Sequence, residues 1–229
     1  MKRFYKDASA VEAGGGWQVE LDGRPLRTPK RAPLVLPTER MAAAVAEEWA
    51  GQGEMIDPAA TPMTGIANAA LDHVGANRDG FADGIAAYGE TDLLCYRAVQ
   101  PDTLVARQCK AWDPLVDWAR GRSAIAIELA DGVMHRPQPE PTLRALRNAL
   151  DAYDDFALAA AQPIATITGS LIVTLALMER EIDVDAAWEA GELDALYSQE
   201  MWGADDEAAA NLARRRAQLE NAARFLQLR

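Results

Sequence analysis

The period of the hydrophobic pattern changes at Pro37-Thr38, and that change limits the fold more than any other feature of the chain. Before it, apolar and polar residues alternate in Trp17-Gln18-Val19-Glu20-Leu21, which puts Trp17, Val19 and Leu21 on one face of a strand. Asp22-Gly23 supplies the two positive-φ positions of a type I′ turn. Arg24-Pro25-Leu26-Arg27-Thr28 returns as the partner strand, kept short by Pro25. Earlier and later strands are expected near Ala10–Ala13 and at Leu34-Val35-Leu36. After Pro37 the period becomes helical. Thr38 is a good N-cap, and Met41, Val45 and Trp49 follow four residues apart. The fold class is therefore α+β, with a small N-terminal antiparallel β domain over residues 1–37 and a larger all-helical domain over 38–229.

Within the helical part, Thr64–Val74 ends at Gly75, a plausible left-handed cap. Phe81, Ile85 and Tyr88 form another stripe. Leu104, Cys109 and Trp112 share a face until Asp113-Pro114 restarts the helix. Ile125, Ile127 and Leu129 alternate before Asp131-Gly132, as in a small hairpin or extended arm. Phe156 to Met178 contains no charged residue. Its length suits a membrane span. Its polar content, the acidic flanks and the lack of an aromatic belt favour a buried core helix, broken near Gln162-Pro163. The last helix opens on acids at Asp205-Asp206-Glu207 and carries Leu212, Leu219 and Leu226.

Composition excludes several functions. The 229 residues carry a net charge of −12, which argues against a nucleic-acid partner. Two Cys are no disulfide framework, and Cys95 and Cys109 read as small core residues. There is no phosphate loop, nucleophile elbow or His-Glu-x-x-His pair, so neither a cofactor nor a metal is expected. Glu90 and Asp92 are close enough in sequence for one carboxylate to raise the pKa of the other, the arrangement a small hydrolase or isomerase would use. The competing reading has Asp92 cap the turn into Leu93–Tyr96. Arg214-Arg215-Arg216 reads as a solvated helix face, with Glu220 and Arg224 as an i, i+4 pair. Trp202 stands apart from the other five Trp. It lies between two helices among acids, in the manner of a protein-binding anchor or of a plug in a helix-helix corner.

An ordered series of motifs resembles one family. It comprises Arg3-Phe4-Tyr5-Lys6, Leu21-Asp22-Gly23-Arg24-Pro25-Leu26 with Thr28-Pro29, and Leu36-Pro37-Thr38 leading to Glu48-Trp49. Ala70-Leu71-Asp72, Thr91-Asp92-Leu93-Leu94-Cys95-Tyr96-Arg97, and Gln108 through Trp112-Asp113-Pro114-Leu115 continue it. The chain resembles the ATP-twelve family, the assembly chaperones for the α subunit of F-type ATP synthase. That resemblance implies a β domain followed by a helical domain. It also implies a non-enzymatic task, holding the unassembled α subunit until a β subunit replaces the chaperone. Family members in eukaryotes work in the mitochondrial matrix. With the motif starting at the second or third residue and no leader ahead of it, a bacterial cytoplasmic protein is expected, or the mature form of a matrix protein. Glu200, Trp202 and Glu207, with Asp92, are the expected client contacts, chosen as polar or aromatic residues at exposed positions. No nucleic-acid partner and no stable membrane insertion are expected.

Overall fold

The computed structural model describes residues 1–203 and 205–229. Strands β1 (Ala8–Ala13) and β2 (Gly16–Leu21) pair antiparallel along their whole length, Ala8 opposite Leu21 and Ala13 opposite Gly16. The other edge of β2 takes two short partners, β3 (Arg24–Pro25) and β4 (Val35–Leu36). The connecting turn has φ of 50° at Asp22 and 74° at Gly23. That is the left-handed pair a type I′ hairpin requires, and Asp-Gly supplies it at little steric cost.

Helix α1 (Glu39–Ala50) begins as its sequence indicates, with the Thr38 hydroxyl accepting the Met41 N–H at 3.2 Å. Met41 and Val45 are fully buried, and Ala42 and Ala46 next to them let the helix lie close on the strands. Together with Val19, Leu34, Leu36, Met63 and Phe225 they form one core. Burying each large apolar side chain contributes roughly 1.5–3 kcal/mol.

Among the described residues the remaining α-helices are α2 (Pro62–Ala69), α3 (Arg78–Ala86), α4 (Asp102–Ser123), α5 (Glu140–Ala149), α6 (Asp155–Thr168), α7 (Leu171–Met178), α8 (Val184–Gly191), α9 (Leu193–Trp202) and α10 (Asp206–Leu228). The chain packs as two compact units. One comprises Met1–Phe81, Asp154–Ala160 and Arg224–Arg229, and the other Ala82–Tyr153 and Ala161–Ala223. The strand-to-helix change falls at residue 37 as the sequence indicates. The unit containing the sheet nevertheless extends well past it, because the sheet's apolar face is covered by α1, and α2 packs against α1 in the same core.

Several local expectations are corrected. The uncharged segment does not break at Gln162-Pro163. Helix α6 runs through Pro163, and the break falls at Gly169, whose φ is +64°. Ser170 then caps α7 by accepting the Val173 N–H. Every residue from Leu171 to Leu177 is buried, as suits a helix apolar on all sides. Among the described residues no helix is long and apolar enough to cross a membrane.

Pro114 likewise sits inside the continuous α4, and the sacrificed backbone hydrogen bond is offset by buried Trp112, Leu115, Val116 and Ala119 around it. Cys109 is exposed, not core. The inward position one residue earlier belongs to Gln108, which accepts the Ala98 N–H at 2.8 Å and donates to Asp194 at 2.8 Å. A hydrogen-bonded amide displaces a thiol from the inner face. Cys95 is buried as expected, and burial pushes its thiol up to about 12.

Gly75 is right-handed, with φ of −58°, and follows a wider turn over Ala70–Val74. The Ile125–Leu129 segment forms an arm. Its continuation β6 (Ala130–Asp131) pairs in parallel with β5 (Tyr96–Arg97), so it is not a self-paired hairpin. Glu220 pairs with Arg216 at 2.7 Å, while Arg224 turns to Glu47 at 3.5 Å.

Candidate functional site

Two places carry the residues singled out by sequence, and they differ in every physical respect. Asp92 lies at 1% exposure. One carboxylate oxygen accepts the Leu94 N–H at 3.0 Å, capping the tight turn Leu93–Cys95, and the other accepts the Ile172 N–H at 2.9 Å in the first turn of α7. Burial pushes its pKa up to about 6, and the hydrogen bonds from Ile172, Ser170 and Leu94 oppose that rise. Asp92 therefore does not sit at an exposed contact position. The sequence reading in which it caps the turn holds, and the structure adds the start of α7 to what it caps.

Glu90 is exposed while Asp92 is buried. Two carboxylates sharing the work on one substrate must face the same space. This pair does not, and both Asp92 oxygens are already engaged.

The second place is the corner between α9 and α10. Leu193 and Tyr197 bury the inner face of α9. By helical spacing Met201 continues that stripe, yet Met201 is 57% exposed and Trp202 beside it 76%. Trp202 is thus no plug of the corner. Glu200 is exposed and held by Arg107 at 2.6 Å, and that hydrogen-bonded pair keeps its carboxyl below the usual range. Arg107 in turn stacks over the Tyr197 ring at 5.2 Å, and the Tyr197 hydroxyl meets Thr103 at 2.6 Å. The last turn of α9 is thereby fixed to α4.

Ala204 lies outside the described residues. Helix α10 then starts with Asp205 accepting the Ala208 N–H at 2.7 Å, and Glu207 is exposed in its first turn. A shallow groove of about 440 Å³ is lined by Asp205, Glu207, Ala208, Asn211 and Arg214. A second, of about 320 Å³, has Glu192 and Arg215 among its lining residues. These two are ion-paired at 2.5 Å, and burial raises the Glu192 carboxyl.

Glu200 and Trp202 thus close α9 and Glu207 opens α10, and none of the groups that Asp92 engages belongs to this corner. Met201 and Arg107 were missed by sequence reasoning. Met201 stood on the inward stripe by spacing, and Arg107 is distant in sequence from the residue it holds. Among the described residues no group of three or more His, Cys, Asp and Glu is arranged to hold a metal.

The motifs noted in the sequence meet one another in the frame. Arg3 donates to the carbonyls of Tyr5, Lys6, Ala50 and Gln52, so it finishes α1, and the Tyr5 hydroxyl donates to the Trp49 carbonyl at 2.7 Å. Glu48 accepts the N–H groups of Met63 and Thr64 at 2.6 and 2.9 Å, capping α2, and burial raises its carboxyl against those bonds. Thr28 donates to Asp72 at 2.7 Å and the Lys30 N–H does so at 3.0 Å. Burial pushes the Asp72 carboxyl up, and these bonds outweigh it and hold it below its ordinary value. Arg97 reaches Asp113 at 2.6 Å and lies over Trp112.

Comparison with known proteins gives a family model over the first half of the chain and solved structures over nearly all of it. A family model described as ATP12 chaperone protein matches residues 2–120. A mitochondrial protein named atp12 from Schizosaccharomyces pombe is 22% identical over 222 residues, covering 90% of this chain and 75% of that one. The crystal structure of Atp12 from Paracoccus denitrificans is 41% identical with a TM-score of 0.92, covering 99% of this chain and 97% of that one. A crystal structure from Agrobacterium tumefaciens is 38% identical with a TM-score of 0.93, covering 99% and 85% respectively.

Proposed function

We propose that this chain, which belongs to the ATP12 chaperone protein family, binds the unassembled α subunit of the F-type ATP synthase catalytic sector and keeps it from aggregating until a β subunit takes its place. The protein is a chaperone and not an enzyme. An unassembled subunit exposes the surface it later buries, and a contiguous apolar patch of that kind invites aggregation. A holder needs an interface large enough to persist and weak enough for the proper neighbour to displace it. No chemical step is required if the subunit-subunit contact is the more stable one.

The observation that carries the assignment of a contact surface is the Met201-Trp202 pair. It lies largely in solvent at the end of a helix whose last turn is fixed by the Arg107–Glu200 pair. An exposed aromatic among acids is the composition of an interface hot spot. Glu200 and Glu207 complete the contact set, and Asp92 supports the frame from inside. The bacterial and fission-yeast relatives support a bacterial cytosol or mitochondrial matrix as the place of work.

Co-expression with the α subunit tests the reading. With the chaperone present, α stays soluble and co-elutes with it. Equal aggregation of α with and without the chaperone refutes the function. Should Trp202→Ala and Glu200→Lys leave α retention unchanged, the function stands and the contact surface lies elsewhere.

A further inference from the structure

In a chain of net charge −12, residues 24–38 contain four cations, Arg24, Arg27, Lys30 and Arg31, and no carboxylate. The imbalance is regional. The unit holding this segment has eleven Lys and Arg against thirteen Asp and Glu, a net of −2. The other has twelve against twenty-two, a net of −10. All four cations are exposed, and among the described residues none is in an ion pair.

Two of them are used within the unit. The Lys30 ammonium donates to the Asp72 carbonyl at 2.6 Å, and the Arg27 guanidinium to the Arg31 carbonyl at 2.9 Å. Those bonds fix the loop and set the spacing of the charges. Among the described residues Arg24 and Arg31 spend no side-chain donor on a hydrogen bond. Asp22, the nearest acid in sequence, is hydrogen-bonded by the N–H groups of Lys6 and Asp7, and Arg24 acts on it only through its charge, as a minor contribution.

We infer that the loop spanning Arg24–Arg31 is a docking surface for an Asp- and Glu-rich stretch of a protein partner. Taking that partner to be the chaperone's client rests on the reading above; the chemistry of the surface does not. The loop's backbone argues against a phosphate. The N–H groups of Leu26, Thr28, Lys30, Arg31 and Ala32 are all donated internally. None of these is left to cradle an anion as phosphate sites do. What remains is a spread of cations led by the guanidinium forks of Arg24 and Arg31, whose donors are not hydrogen-bonded within the described residues, a match for several separated carboxylates. A lipid surface fits less well. The loop exposes no large apolar side chain to insert, Leu26 being half-buried, and the rest of the chain is acidic.

The test uses the full-length protein and a fluorescein-labelled Asp/Glu-rich peptide, with an Asn/Gln peptide as control, read by fluorescence anisotropy. The expected result is binding of the acidic peptide alone, largely abolished between 50 and 300 mM salt as screening shortens the reach of the charges. Arg24→Glu with Arg31→Glu weakens it on the order of tenfold. Arg24→Gln with Arg31→Gln weakens it less. Unchanged circular dichroism shows that the variants fold, and among the described residues neither side chain has a hydrogen bond or an ion pair to lose. With purified α subunit, the charge reversal weakens capture while Trp202 is intact. Three results overturn the inference: no binding of the acidic peptide, equal binding by the reversed variant, or tighter binding to phosphatidylserine vesicles than to the peptide. If the wild type fails to hold the α subunit, the client reading falls, and the peptide measurement still decides the surface.

Discussion

Asp92 and Trp202 both stand in acidic stretches of sequence, and the fold sends them to opposite fates. The Asp92 carboxylate is enclosed and satisfied, joining the Leu93–Cys95 turn to the first turn of α7. Trp202, a residue that is usually well buried, is left three-quarters exposed at the end of α9. The difference teaches that residue type is a poor guide to role here. A carboxylate becomes scaffold when backbone N–H groups are waiting for it, and an aromatic becomes surface when its helix ends beyond the core.

The contrast is broken most directly at Asp92. Asp92→Ala orphans the Leu94 and Ile172 N–H groups in the interior and is expected to cost about 3 kcal/mol in urea unfolding. A loss below about 1 kcal/mol removes Asp92 from the scaffold.

The pH dependence tests the same carboxylate to a similar extent. Its folded value of about 6 lies above the ordinary 3.8, so the fold favours the protonated form. That contribution is complete below about pH 4 and is lost as the pH rises through 6. The stability of wild type minus that of Asp92→Asn should therefore fall by about 3 kcal/mol from pH 4 to pH 7, at about 1.4 kcal/mol per pKa unit. A flat difference over that window contradicts the assignment.

Trp202→Ala carries the other half of the comparison. It is expected to weaken capture of the α subunit about 30-fold, the size of a 2 kcal/mol anchor, in a titrated pull-down. The unfolding midpoint should hardly move, with a change within about 0.5 kcal/mol. A large loss of stability with no loss of capture would exchange the roles of the two residues. Between these extremes, Glu48→Ala uncaps α2 and should cost about 1–2 kcal/mol by thermal unfolding, with client capture unaffected.

Much of the frame was legible because it rests on local signals. Alternation at Trp17–Leu21, the Asp22-Gly23 turn and the Thr38 cap each act within a few residues, and each appears where the sequence indicates. The motifs that carry the family resemblance were legible as a series, but their purpose was not. In the structure they prove to be internal bonds: Arg3 to the end of α1, Thr28 to Asp72, Glu48 to α2, Arg97 to Asp113. These pairs lie 16 to 49 residues apart, and no periodicity reports a hydrogen bond over that span.

Misreadings arose where tertiary packing outweighed a local rule. Prolines at 114 and 163 break helices in isolation, but here the buried neighbours carry α4 and α6 through them. Cys109 looked apolar enough for the interior, and Gln108 took the inner position because its amide had two partners there.

The sequence by itself determined the order of elements and the family, since both are encoded in short-range pattern and ordered motifs. Only the tertiary structure decided which charged and aromatic groups face water. Exposure depends on which distant segments come to lie against a side chain, and on whether they bring donors to satisfy it. That is why Asp92 is walled in and Trp202 is not.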